Sequence, residues 1–376
     1  MRPEFESIPK YGFGCMRLPL TDPDDATSID MEHFKRMVDA FMAAGCTYFD
    51  TAFVYHDGTS ETALREALVE RYPRESFTIA TKCLAWSAPD AATAQSNLAT
   101  SLERLGTDYV DFYLLHNVGG KRIAKFDEYG MWDFIAEQKA AGRIRYAGFS
   151  LHDDAKALDK LLTAHPDVDF VQLQVNYLDW DDPVIQSRRL MEVAAKHDVP
   201  VVIMEPARGG RLADLPARVA DVFLAAKPET SPVTWANRFC WNLPNVLTVL
   251  SGVSNIEQME ENLAEFAANK PFTAEEQAVF DEAVRQLHAV PTVPCTNCGY
   301  CLKGCPEHVA IPDILNLLNL EMLTDDRAFA AGQYTWRAAS GPASKCVACG
   351  SCEDMCPQSI DIVHQLATAA EHFEGK

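Results

Sequence analysis

The residues with the clearest chemistry lie near the end of the chain. Cys295, Cys298, Cys301 and Cys305 precede Pro306, and Cys346, Cys349, Cys352 and Cys356 precede Pro357. Each run spells C-x2-C-x2-C-x3-C-P, the spacing that wraps three thiolates around one cubane 4Fe-4S cluster and sends the fourth to its neighbour. Two clusters with crossed ligation are therefore expected. Cys295, Cys298, Cys301 and Cys356 would hold one, and Cys346, Cys349, Cys352 and Cys305 the other. Such clusters move single electrons, so the tail is expected to serve redox chemistry. A zinc site would instead show two separated C-x2-C pairs. Disulfides fit poorly with a start, residues 1–10, that is polar and lacks the apolar stretch of a secretory signal.

A second set, Asp50, Tyr55, Lys82 and His116, combines a carboxylate, a phenol, an amine and an imidazole, the types used for acid–base work. What must position them is a series of short apolar, β-rich runs alternating with amphipathic helical stretches. The runs fall near 12–16, 48–50, 77–82, 110–116, 145–150, 171–175, 201–204 and 247–252. Helical stretches lie between them, among them 31–44, 60–72, 91–105, 183–197 and 256–268. Eight strands alternating with eight helices imply an α/β fold, a (β/α)8 TIM barrel, over residues 1–288. No G-x-G-x-x-G follows the first strand to favour a doubly wound sheet. Asp50, Tyr55, Lys82 and His116 sit at or just past the C-terminal strand ends, where barrels carry chemistry. Pro291 and Pro294 in the segment 289–294 suggest a hinge, and 289–376 reads as a separate, mostly helical dicluster ferredoxin-like domain. No short internal repeat is visible.

The motifs Asp50-Thr51-Ala52-Phe53-Val54-Tyr55, Ala80-Thr81-Lys82 and Leu114-Leu115-His116, with the opening Gly12-Phe13-Gly14-Cys15-Met16-Arg17-Leu18-Pro19, resemble the aldo/keto reductase superfamily. Together with the cysteine runs, the chain is similar to the iron–sulfur aldo/keto reductases, which pair such a barrel with a ferredoxin module. The resemblance implies an oxidoreductase that reduces an aldehyde, ketone or activated double bond. Reduction by hydride leaves an alkoxide that needs a proton. Tyr55 is accordingly assigned as general acid, Lys82 as the ammonium that lowers its pKa, Asp50 as the partner of Lys82, and His116 as the group orienting the substrate carbonyl.

For the hydride donor, the resemblance assigns NAD(P)H. Ser150 stands where relatives contact the nicotinamide carboxamide, although Leu151 replaces the usual Asn, and Gln172 matches the partner on the next strand. Gly252, Ser254, Gln258 and Asn262 resemble the adenosine-end motif, with phosphate at a helix N-terminus. Met204 stands where an aromatic usually stacks on the nicotinamide, and the positions that often bind a 2′-phosphate are not basic. Arg208 and Arg211 flank Gly209-Gly210 and suit either a phosphate grip or a solvated loop. Nicotinamides transfer electron pairs whereas clusters pass single electrons. FMN or another flavin in the barrel would reconcile the two, so a ferredoxin-fed flavoenzyme is an alternative. A redox-sensing or electron-carrier module with a non-catalytic barrel is another.

The formal charge of −21 repels phosphate backbones and argues against a nucleic-acid partner. A solvated acidic surface is the preferred reading of that charge; a basic redox partner protein is the other. No apolar run reaches membrane-spanning length, and a cytoplasmic protein with reduced thiols is expected.

Overall fold

Eight parallel strands close into a barrel in sequence order, β1 (Tyr11–Gly14), β2 (Tyr48–Asp50), β3 (Thr78–Cys83), β4 (Val110–Val118), β5 (Ile144–Leu151), β6 (Phe170–Gln174), β7 (Val201–Met204) and β8 (Val246–Ser251), with β8 pairing back to β1. The computed structural model describes residues 3–182, 185–324 and 327–376; Met1, Arg2 and Pro183 are among the positions outside the described residues. All eight expected strands form, their ends within two residues of the sequence reading. The helix expected over 183–197 runs Ser187–Lys196. Helix starts follow local chemistry. Asp30, Asp90, Asp154 and Asn255 each accept a backbone N–H of the first turn through the side chain.

The period of two along each strand decides what faces the barrel interior. Tyr48, Ala80, Phe112, Leu114, Phe170, Val202 and Leu247 form one apolar cluster, and Phe5 joins it. Phe112 contacts Tyr48, Phe170 and Phe5 at ring-centroid separations of 5.1, 4.9 and 5.8 Å. Gly148 is needed here, since a Cβ at that position would overlap the Phe170 carbonyl and ring. Two residues further along each strand, the same side carries Asp50, Lys82, His116, Ser150, Gln172 and Met204. The alternate residues, among them Phe13, Phe49, Ile79, Tyr113, Leu115, Phe149, Val171 and Ile203, belong to the larger core cluster.

Contacts divide the chain into two compact units, Met1–Pro206 with Ala236–Pro271, and Ala207–Trp235 with Phe272–Lys376. The second unit thus takes in a segment inserted between β7 and β8, whose helix Ala217–Ala226 packs on helix Ala274–His288. The segment 289–294, read as a hinge, is held within that unit. Asn319 accepts from the Val293 N–H at 2.7 Å and donates to its carbonyl at 2.8 Å.

The cysteine-bearing part is helical and built twice, so the two cysteine runs mark a structural repeat in which few residues other than the cysteines and prolines match. Cys295 and Cys346 are 51 residues apart, and so are the short helices Tyr300–Gly304 and Ser351–Met355 and the starts of helices Ile311–Thr324 and Ile362–Ala369. The backbone repeats with them. Asn297 and Ala348, Gly299 and Gly350, and His308 and Ser359 all have positive φ. Among the described residues, no helix is long and apolar enough to cross a membrane.

Candidate active site and cluster sites

Asp50 ends β2, Lys82 is the penultimate residue of β3, and His116 lies near the end of β4, all on the barrel-interior side. Tyr55 opens a short turn just after β2. Lys82 is fully buried, and its Nζ lies 2.5 Å from Asp50 Oδ1 and 2.7 Å from the Thr51 carbonyl. The ammonium also sits 4.7 Å from the centre of the Tyr55 ring. His116 meets that ring edge-on with centroids 6.1 Å apart. The four residues selected from sequence therefore form one constellation.

Their electrostatics are governed by burial. Burial pulls Lys82 below the ordinary lysine range while Asp50 pushes back, and it raises the Asp50 carboxyl against the pull of Lys82. His116 is driven well below its usual value by burial, with Lys82, His152 and Arg122 acting in the same direction, so the imidazole is neutral. Tyr55 departs from the sequence expectation. Its phenol is raised well above the ordinary value by burial, then by Asp50, Cys15 and Glu205. The ammonium lies over the ring face and is tied to Asp50, an arrangement that gives a cation–π attraction rather than stabilisation of a phenolate. Tyr55 thus holds its proton firmly in this state.

The loop carrying Tyr55 is anchored by residues the sequence reading passed over. Glu61, fully buried, accepts from the Thr81 hydroxyl at 2.7 Å and pairs with Arg104 at 3.2 Å. Arg104 donates to the Phe53 carbonyl at 3.1 Å and lies 4.3 Å from the Phe53 ring centre. The signal available was the pairing of an acidic and a basic residue on successive helices, which sequence alone does not distinguish from solvated charges.

Past His116 the β4–β5 register shifts, and Asn117 adopts φ 58°. Its N–H donates to Ser150 Oγ at 2.8 Å. Ser150 is paired in register with Gln172 on β6. Gln172 offers its Nε2 to the Met204 sulfur at 3.5 Å, and its buried Oε1 has no hydrogen-bond partner among the described residues. A thioether is a weak acceptor, so this amide holds unspent hydrogen-bonding capacity.

The other nucleotide candidates behave differently. Ser254 donates to the Arg17 carbonyl, and Gly252 lies beside the Arg17 side chain. At the N-terminus of helix Ile256–Ala267 the amides already have partners: Ser254 N–H donates to Gln258 Oε1, Gln258 N–H to Asn255, and Ile256 N–H to His33 Nε2. A phosphate there would displace Gln258 and His33. Asn262 is buried and bonded to Ser251 and Asn237. Arg208 is buried in the turn Arg208–Gly210 and belongs to the second unit, so it is not grouped with the barrel residues.

In the second unit the crossed ligand sets come together. One hollow is lined by Cys295, Cys298, Cys301 and Cys356, with Ile362 beside them. The other is lined by Cys305, Cys346, Cys349 and Cys352, with Ile311 beside them. Backbone amides of Asn297, Ala348 and Val309 donate to the sulfurs of Cys295, Cys346 and Cys305, each at 3.4 Å. Such N–H···S bonds suit thiolates on a cluster. Among the described residues, no group of three His, Cys, Asp or Glu closes tightly enough for a single ion; the cysteines ring two wider hollows instead. All twelve cysteines are unbridged.

Residues 10–285 match the Aldo/keto reductase family. The chain belongs to that family. Residues 294–360 match the 4Fe-4S dicluster domain, so this aldo/keto reductase is an oxidoreductase that also carries an iron–sulfur module. An aldo-keto reductase of Mycobacterium avium strain 104 is 32% identical over 257 residues, 68% of this chain and 82% of the relative. The aldo-keto reductase str7 of Strobilurus tenacellus is 32% identical over 215 residues, and the match spans 60% of its length. Among solved structures, an aldo-keto reductase from Bacillus halodurans in its holo form superposes with a TM-score of 0.58 at 26% identity, covering 73% of this chain and 91% of that one. One from Klebsiella pneumoniae, in complex with NADP and acetate, gives 0.59 at 22% identity, over 74% and 92% of the two chains, and shows the shared fold.

Proposed function

We propose that the barrel reduces the carbonyl, or the activated double bond, of a small molecule, with Tyr55 as general acid and a nicotinamide dinucleotide as hydride source. The observation that carries this reading is the buried Asp50–Lys82 pair beneath the Tyr55 ring with neutral His116 across from it. When bound, the dinucleotide supplies a hydride and the two iron–sulfur clusters supply one-electron chemistry.

The residues divide the remaining work. The Gln172 amide, with its unpartnered Oε1, suits the amide of a carboxamide, and Ser150 beside it in register completes that contact. Nicotinamide is preferred to flavin on this feature and on the NADP complex of the Klebsiella neighbour. Neutral His116 donates a hydrogen bond to the substrate oxygen and orients it. As negative charge develops there, Tyr55 gives up its proton. The Lys82 ammonium, held in place by Asp50, lies 4.7 Å from the centre of the Tyr55 ring and orients that ring by cation–π attraction. The cysteine hollows Cys295/Cys298/Cys301/Cys356 and Cys346/Cys349/Cys352/Cys305 would hold the two clusters. The four cysteines outside the cluster sets, Cys15, Cys46, Cys83 and Cys240, are buried and unbridged, which suits a reducing, cytoplasmic setting.

Replacing Tyr55 with Phe tests the assignment. Turnover of a simple aldehyde with NADPH is expected to fall about 100-fold or more, while iron content and circular dichroism stay unchanged. Undiminished turnover would remove Tyr55 from the mechanism and favour a barrel that only binds nucleotide.

A further inference from the structure

The two copies within the second unit differ in what covers them. In the first, Gly209 lies against the Thr296 carbonyl so closely that a Cβ would overlap it, and Arg211 donates to the Val293 carbonyl at 3.1 Å and to the Thr292 hydroxyl. Thr296 and Val293 are consequently 2% and 5% exposed. The same positions in the second copy, 51 residues on, are Val347 and Ser344, and both are open, Val347 to 59%. Cys349 is likewise exposed where its counterpart Cys298 is half-buried. The chain therefore covers one copy with its own Arg-Gly-Gly-Arg turn, while in the other Ser344 bonds Glu374 and Lys376 and Val347 and Cys349 stay open.

We propose that the loop 344–349 is the docking face for a separate one-electron carrier protein that presents a basic, small-residue turn. The inference rests on reading the eight cysteines as cluster ligands. Three observations identify the occupant. The covered copy shows what this surface accepts: a glycine that allows backbone approach, and an arginine for the exposed carbonyl. The net charge favours the same partner, since the chain carries −21 and Glu307 lines the hollow beside Cys349, against two lysines at this face, Lys345 within the loop and Lys376 bonded to Ser344. Val347 supplies an exposed apolar centre, and apolar centres with polar rims are how such contacts are built. An exposed ligand also leaves the short path to solvent that exchange with another protein requires.

The probe is ferricytochrome c, a small, basic one-electron acceptor, mixed anaerobically with dithionite-reduced, full-length holoprotein. Each event takes one electron from the protein and turns one ferric haem ferrous, with no bond or proton moving. The second-order rate is expected to fall steeply with added salt. Val347→Lys, at an exposed site, should lower that rate about ten-fold and weaken binding by calorimetry to a similar degree. Its iron content and cluster electron paramagnetic resonance should be unchanged. Gln277→Lys, an exposed change of equal charge on helix Ala274–His288, should match the wild type. Equal rate and affinity in Val347→Lys would overturn the proposal, as would a rate that rises with salt. Tighter binding of an acidic plant-type ferredoxin than of cytochrome c would overturn it equally. An iron assay before the probe is added separates these failures from a failure of the cluster reading, and no step depends on carbonyl turnover.

Discussion

Replacing Asp50 with Asn leaves the Lys82 ammonium buried without its counter-charge. The two side chains are 3% and 0% exposed and 2.5 Å apart, so water cannot take over from the lost carboxylate. The fold has two responses. It can keep the charge, at the roughly 3–5 kcal/mol typical of an uncompensated buried ion. Or it can release the proton: an unfolded lysine titrates near 10.4, so neutralising it at pH 7 costs about 4.6 kcal/mol. Both routes put the loss at about 3 to 5 kcal/mol at pH 7, and the second makes it pH-dependent. The variant's buried amine is neutral while the unfolded chain is protonated, so unfolding takes up a proton and stability rises with pH. Between pH 7 and 9 the deficit against wild type should shrink by about 2.7 kcal/mol. Urea unfolding followed by far-ultraviolet circular dichroism at both pH values measures this. Adding Lys82→Met to Asp50→Asn should restore most of the stability, because no buried charge then remains, while turnover stays lost. A deficit under about 1 kcal/mol would refute the buried-pair argument, whereas a larger deficit unchanged with pH would mean that the ammonium keeps its charge.

Three further outcomes follow from the geometry. Crossed ligation predicts that Cys305→Ala and Cys346→Ala damage the same cluster site; the double variant should lose no more iron than either single one, whereas Cys305→Ala with Cys295→Ala should lose about twice as much. Gln172→Met removes an amide whose oxygen is unpartnered, so stability should hold while the KM for NADPH rises roughly five- to ten-fold, read from initial rates. Buried His116 and half-buried His152 both have pKa values well below the ordinary one, His152 at about 3. The unfolded chain therefore binds protons first as pH falls, and each histidine should cost up to about 1.4 kcal/mol per pH unit below 6.5. His152→Asn should flatten the fall in Tm between pH 7 and 5 relative to wild type.

Much of the chemistry was written into local spacing. A cubane needs its thiolates at fixed offsets and a Cys-Pro turn to redirect the fourth, so both crossed ligand sets were legible before any coordinates. Strand alternation was equally local. Once Tyr48, Ala80, Phe112 and Leu114 face inward, the period of two carries Asp50, Lys82 and His116 inward as well. Tertiary structure decided what depends on approach from distant parts of the chain. It placed the Lys82 ammonium over the face of the Tyr55 ring, and burial then raised the phenol that proximity alone was expected to lower. It spent the amides at the start of helix Ile256–Ala267 on Gln258 and on His33 from another helix, where the motif suggested a vacant phosphate nest. It also drew Ala207–Trp235 into the cysteine-bearing unit and laid the Gly209 turn over only one copy of a repeat. Ligand spacing and strand period are set within a few residues of backbone; burial and coverage depend on which remote segments exclude water, and no stretch of sequence states that by itself.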